Sequence, residues 1–168
     1  KPRPATPESR KVHMKITDYM GTQNIFLDAK LLDKPAILQF IAETCVKNGI
    51  VNNAGVVYEG LMEREKTMST GIGNGLAFPH TLSSEAESAA VILIRLSEPV
   101  DFDALDDKLV DIVLALIIPA KTPQIHVRLL ARVSRLCKEQ SFVAAIKAAE
   151  SANALRKEIL RVEARKTG

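Results

Sequence analysis

Cysteine is scarce in this 168-residue chain, with two in all. Cys45 and Cys137 lie far apart and lack the short spacing of a metal site. Each falls on the apolar side of a helix predicted below, so both are expected as buried free thiols. No run approaches the roughly 20 apolar residues of a membrane span. No secretory signal pattern is visible either, so a cytoplasmic location without direct membrane insertion is expected. A sustained excess of one charge is also missing. The formal net charge is +3, but residues 1–13 carry Lys1, Arg3, Arg10 and Lys11 against Glu8. The remainder balances, which argues against a nucleic-acid surface. Nucleotide loops are missing too. The glycines at 71 and 73 begin a G-x-G-x-x-G pattern that Leu76 breaks, and there is no G-x-x-x-x-G-K-[ST].

What is present reads as one globular domain. Hydrophobic residues make up 46% and charged residues 26%, and the length suffices for a sizeable core. Residues 1–13, with Pro2, Pro4 and Pro7, read as a disordered tail. His13-Met14 reads as a cloning junction, with the natural chain starting at Met14. No internal repeat or linker divides residues 14–168.

Ile25-Phe26-Leu27 predicts a short strand. Asp33 caps a helix with Pro35 in its first turn. Ile37, Phe40, Ile41 and Cys45 recur at helical spacing, and Gly49 is its stop. A second helix is expected from about Asn53 to Glu65, with Val57, Leu61 and Met62 inward. Ala89–Leu96 and Asp111–Ile118 are near-continuous apolar runs, as in strands covered on both faces. Between them Val100-Asp101-Phe102 and Leu105-Asp106-Asp107 predict an edge hairpin or turn. Thr122 is the expected N-cap of a third helix, with Pro123 at N1. Its stripe is Ile125, Leu129, Val133 and Leu136, and His126 falls within that inward arc. Arg128, Arg132, Arg135 and Lys138 read as its solvated face. Two further helices, about Ser141–Glu150 and Ala152–Ala164, close the chain. The expected class is α/β: a single domain, a mixed β-sheet covered by helices on both faces, and a C-terminal helical segment.

One stretch stands apart: Ser69-Thr70-Gly71-Ile72-Gly73-Asn74-Gly75-Leu76-Ala77-Phe78-Pro79-His80. Glycine at every second position suits neither a helix interior nor a firm strand. A mobile glycine loop followed by a stiffening proline would deliver one imidazole to a fixed place. A lone histidine is more often packed or solvated than reactive, so the spacing by itself does not decide. Ser69, Thr70 and Asn74 either donate hydrogen bonds near His80 or shape the loop. Arg64 either serves the site or forms a surface salt bridge with Glu63 or Glu65. A second reading makes His80 and His126 metal ligands, but no Asp, Glu or Cys at diagnostic spacing completes such a site. No metal or other cofactor is expected.

The stretch closely resembles the active-site segment of enzyme IIA domains of the fructose/mannitol (type 2) class. These belong to the bacterial phosphoenolpyruvate-dependent sugar phosphotransferase system. The family segment is an Arg-Glu pair, a few residues, then S-T-G-I-G-x-G-[IVL]-A-[IVF]-P-H; here it is Arg64-Glu65, then Ser69 through His80. Gln124–Ala131 is similar to the family's H-L-x-L-L-A helix, and the likeness spans roughly Met14 to the C-terminus. The resemblance implies the same fold, phosphorylation of His80, and a phosphate-stabilising role for His126. Arg64 corresponds to an arginine near the family site, and Gly71, Gly73 and Gly75 shape the loop. It also implies the small carrier HPr as phosphoryl donor, a cysteine of enzyme IIB as acceptor, and association with a membrane permease. His126 is expected to be neutral because the positive end of its helix disfavours imidazolium. Relatives usually have glycine where Asp107 stands, so a looser turn is expected there.

The leading expectation is a phosphoryl carrier serving uptake of a fructose-like sugar, and the start Met14–Tyr19 looks sugar-type. The alternative is a nitrogen-type regulatory relative that signals through its phosphorylation state. A metal hydrolase is a remote third reading.

Overall fold

The computed structural model describes residues 14–166, and the expectations for residues 1–13 lie outside it. Two short 3-10 turns, Ile16–Tyr19 and Thr22–Asn24, lead into β1 (Ile25–Ala29), α1 (Lys34–Lys47) and α2 (Ala54–Thr67). Then come β2 (Gly71–Gly73), β3 (Leu76–Ala77), β4 (His80–Ser83), β5 (Ala90–Val100) and β6 (Val110–Pro119). Three helices follow: α3 (Pro123–Cys137), α4 (Gln140–Ala148) and α5 (Ala152–Lys166).

Helix starts follow from their caps. Asp33 accepts a hydrogen bond from the Ala36 amide at 2.8 Å, and Asn53 accepts one from Gly55 at 2.9 Å. The first helix stops at Gly49, which takes the left-handed φ of +71° that costs glycine nothing. Thr122 occupies the N-cap position of α3 but makes no capping bond. Its hydroxyl is buried without a partner.

The sheet order is β1-β5-β6-β3-β2, with β4 also on β6. The long strands β5 and β6 are antiparallel, with Leu93 opposite Leu114. β1 joins β5 in parallel, and both β3 and β4 join β6 in parallel. Hence β3 and β4 lie end to end along one strand, Leu76 opposite Ile112 and His80 opposite Leu116. Phe78 and Pro79 fill the break between them, and pairing resumes at His80.

Alternation on the two central strands builds two cores. Val91, Leu93, Leu114 and Leu116 face α3, α4 and α5, packing on Leu129, Val133, Phe142 and Ile159. Ile92, Ile94, Val113 and Ala115 face α1 and α2, packing on Ile37, Ile41, Val57 and Leu61. The mixed sheet is therefore covered on both faces, which is why its strands read as continuous apolar runs.

Several details depart from the sequence reading. The hairpin between the long strands is wider than expected. β5 runs on to Val100, which pairs with Val110, so the connection is the loop 101–109. The glycine segment is not a free loop but a tight hairpin, with Gly71 opposite Ala77 and Gly73 opposite Leu76. The turn at Asp107 is not looser. Asp107 itself adopts φ +58°, and its amide closes onto the Ala104 carbonyl at 3.0 Å. Aspartate is one of the few side chains that tolerate this region. Arg132 is not on a solvated face, since it pairs at 3.2 Å with Glu163, whose side chain is fully buried.

Candidate active site

His80 sits where the broken edge of the sheet restarts, and the break supplies its first partner. The Phe78 carbonyl, in the gap between β3 and β4, is 2.8 Å from His80 Nδ1. A carbonyl only accepts, so Nδ1 carries the proton. The other ring nitrogen is then an acceptor, and Arg64 Nε donates to it at 3.2 Å. Both contacts select one tautomer: Nδ1–H, with the lone pair on Nε2. Arg64 comes from the last turn of α2, and its Nη1 donates to the Met68 carbonyl at 2.8 Å. Of the two readings of Arg64, the surface salt bridge with Glu63 or Glu65 does not form. Glu63 pairs with Lys66 and Glu65 with Lys34.

His126 reaches the same place from the opposite face of the sheet, in the first turn of α3. Its ring centroid is 4.8 Å from that of His80, with the planes tilted by 35°. Its Nε2 is buried and has no hydrogen-bond partner. An orphaned buried nitrogen beside the His80 ring costs free energy in the resting protein.

Both imidazoles are held below the usual histidine range. For His80 the main cause is burial, aided by His126 and Arg64 and opposed by the Phe78 carbonyl and Glu65. For His126 burial again leads, and Arg64 adds to it. Burial and Arg64 thus push His126 in the same direction as the helix end invoked above. Two imidazoles held towards their neutral form stand with one permanent cation, and the nearby Glu65 carboxylate is already paired with Lys34. This arrangement is a fitting receptor for a dianionic group.

The glycine hairpin fixes the approach to this site. Asn74, Gly73 and Gly75 take φ of +56°, +105° and +80°. A Cβ on Gly73 would lie 3.0 Å from Asp106 Oδ2, and one on Gly75 would lie 2.8 Å from Asp111 Oδ1. Gly71 lies against Ala104, and its carbonyl accepts from the Leu105 amide at 3.1 Å. Ser69, Thr70 and Asn74 spend their hydrogen bonds on this hairpin and its neighbours, and His80 bonds to Arg64 and the Phe78 carbonyl instead. Ser69 Oγ donates to the Phe102 carbonyl at 2.7 Å, and the Asn74 amide donates to Asp106 Oδ2 at 2.9 Å. Thr70 bonds to Glu65. Among the described residues no three His, Cys, Asp or Glu side chains come together as a metal cluster.

Glu65 was not singled out from sequence as more than a salt-bridge partner, yet its carboxylate is buried beside the site. The available signal was the Arg64-Glu65 pair, which stands in the resembling family segment as a unit.

Residues 18–162 match the family described as phosphoenolpyruvate-dependent sugar phosphotransferase system, EIIA 2. The chain belongs to this family, whose members carry phosphoryl groups from HPr-type donors to IIB partners. Among its relatives, a nitrogen regulatory protein of Bradyrhizobium diazoefficiens is 32% identical over 84% of this chain and 92% of its own length. The fructose-specific EIIA component of the phosphotransferase system of Haloferax volcanii is 30% identical over 66% of this chain and 72% of its own. The crystal structure of nitrogen regulatory protein IIA-Ntr from Neisseria meningitidis superposes with a TM-score of 0.80 at 27% identity. It covers 86% of this chain and 98% of that one. No helix among the described residues is long and apolar enough to cross a membrane.

Proposed function

We propose that the protein is a nitrogen-type regulatory phosphocarrier that holds a phosphoryl group on Nε2 of His80. The observation that carries this reading is the single tautomer of His80, with its Nε2 lone pair facing Arg64 and the His126 ring 4.8 Å away. In the transfer, the Nε2 lone pair attacks the phosphorus of an HPr-type phosphohistidine. The new N–P bond forms as the donor's N–P bond breaks, and the donor imidazole leaves with the old bonding pair. No proton has to move on the acceptor side. Nδ1 keeps its hydrogen, and the Phe78 carbonyl stabilises the positive charge the ring acquires. Arg64 exchanges its nitrogen acceptor for a phosphoryl oxygen, and His126 supplies an N–H from its unpartnered nitrogen. Positioning and charge balance supply most of the catalysis in such reactions.

The regulatory assignment rests on the relatives at 32% and 27% identity, both nitrogen regulatory proteins spanning nearly their whole lengths. They outweigh the sugar-type look of Met14–Tyr19. A transport role, with a IIB cysteine as acceptor, is the second reading. It is favoured by the fructose-specific component at 30% identity. Exposed apolar side chains flank the site in either case. Met68 is 57% and Val127 69% exposed, and the two adjoin the partners of His80.

Incubation with phosphoenolpyruvate, enzyme I and HPr should label the protein at one residue. The label should be acid-labile and base-stable, as a phosphoramidate is, and absent from His80→Ala. Labelling that persists in that variant would sink the assignment. Onward transfer to a IIB domain would favour transport. Stable retention with a changed set of bound proteins would favour regulation.

A further inference from the structure

The carboxylate of Glu65 has no part in the chemistry above, yet its side chain is only 4% exposed. It is satisfied from three directions. Lys34 Nζ lies 3.0 Å away, the Thr70 amide 3.2 Å from both oxygens, and the Thr70 hydroxyl donates to Oε1. Lys34 is itself fixed, 4.7 Å above the Phe102 ring and 3.4 Å from Asp103. A buried ion pair is poor evidence of stability in itself, because desolvation offsets its attraction. What the carboxylate adds is direction: two acceptor oxygens aimed at one residue just past the end of α2.

From Thr70 an unbroken line of hydrogen bonds leads to the reactive ring. The Thr70 carbonyl accepts from the Phe78 amide at 2.9 Å, and the Phe78 carbonyl accepts from His80 Nδ1 at 2.8 Å. The residue before Glu65 is Arg64, which holds the other ring nitrogen. Both contacts that choose the His80 tautomer therefore depend on where this one carboxylate pins the α2-to-hairpin turn. We propose that Glu65 is a positioning residue. By anchoring Thr70 it sets the Phe78 carbonyl and the Arg64 guanidinium so that His80 carries its proton on Nδ1 and presents Nε2. Its consequence for transfer rests on the functional reading above; its consequence for the tautomer does not.

The test uses the whole chain carrying isotope-labelled histidine. The His80 nitrogen shifts report the tautomer, and the rate of labelling by phospho-HPr is measured in parallel. In the unaltered protein His80 should show the Nδ1–H form alone. Glu65→Gln, which keeps the size but loses the pair with Lys34, should show a mixture of tautomers. It should also accept phosphate ten- to a hundredfold more slowly, the cost expected of a roughly 1 Å misplacement. Thr70→Val leaves every charge in place and removes only the hydroxyl; it should disturb the tautomer in the same sense. Unchanged His80 shifts in Glu65→Gln would overturn the proposal. So would a disturbed tautomer in Glu65→Gln with unchanged shifts in Thr70→Val, because the effect would then be one of charge and not of anchoring. If Glu65→Gln fails to fold, the Thr70→Val spectrum decides alone. An unaltered protein that takes no phosphate, with tautomers as expected, would refute the functional reading and leave this inference standing.

Discussion

At His80 the position of one proton decides what the ring can do, and pH should reveal it. Both active-site imidazoles are held below the histidine value of about 6.5, His80 and His126 alike mainly by burial. Phosphate acceptance should therefore persist as pH falls through that ordinary value, and decline only at the lower midpoint of His80. Ring titration by NMR should give midpoints below 6.5 for both. The linkage to stability follows in sign. The unfolded chain takes up protons at higher pH than the folded one, so stability falls as pH drops from the unfolded value towards the folded midpoints. A phosphoryl dianion on His80 should raise the His126 midpoint; no response would show that the two rings are not one site. His126→Ala and Arg64→Ala should each still accept phosphate, but more slowly. Loss of one charge-assisted hydrogen bond is worth about 1.5–3 kcal/mol, or on the order of ten- to a hundredfold in rate if the transition state feels all of it. Single-turnover labelling measures this directly.

Among the elements, the hairpin β2–β3 and the junction of α2 with β4 matter most. Gly60 in α2 lies against Thr81, where an added Cβ would come within 3.3 Å of the Thr81 Cβ. That close approach brings Arg64, one turn further along, to the residue before Thr81. In the hairpin, Gly73→Val or Gly75→Val forces a β-branched residue into left-handed backbone, at a cost of about 1–2 kcal/mol, against Asp106 or Asp111. Both variants should fold, melt lower and accept phosphate more slowly. Wild-type transfer rates in both would refute the role given to the hairpin. The sequence displayed much of this. The β5 and β6 runs announced a doubly covered sheet, and the spacing of Ile125, Leu129 and Val133 placed His126 inward. The hairpin itself was hidden, because three glycines in five residues carry no strand propensity. Its pairing comes from β6 and from the loop 101–109. Arg64 stayed ambiguous for a similar reason. Its role depends on the tertiary approach of α2 to β4, which the periodicity of α2 alone does not encode.

For the molecule as a whole, Glu163 is the hub that sequence spacing could not disclose. Fully buried, it accepts from the Ile16 and Thr17 amides at 3.0 and 3.2 Å, from the Thr17 hydroxyl at 3.0 Å and from Arg132. It ties α5, α3 and the start of the described chain into one body. Arg132→Ala leaves that charge buried with two amides and the Thr17 hydroxyl but no cation, and should destabilise by about 3–5 kcal/mol. Chemical denaturation measures the loss, while the His80 tautomer should survive under conditions where the variant is folded. The same hub has a consequence in time. During synthesis the chain emerges from its beginning, so Ile16 and Thr17 wait for a partner made 147 and 146 residues after them. At roughly 5–20 residues per second, about 2–7 s separate the emergence of His126 from that of Glu163. Through that interval α3 is held by its packing on β6 and α4 but lacks the Arg132–Glu163 pair that ties it to α5. On the function proposed above, His80 is therefore made well before the contact that completes the anchoring of the helix carrying His126.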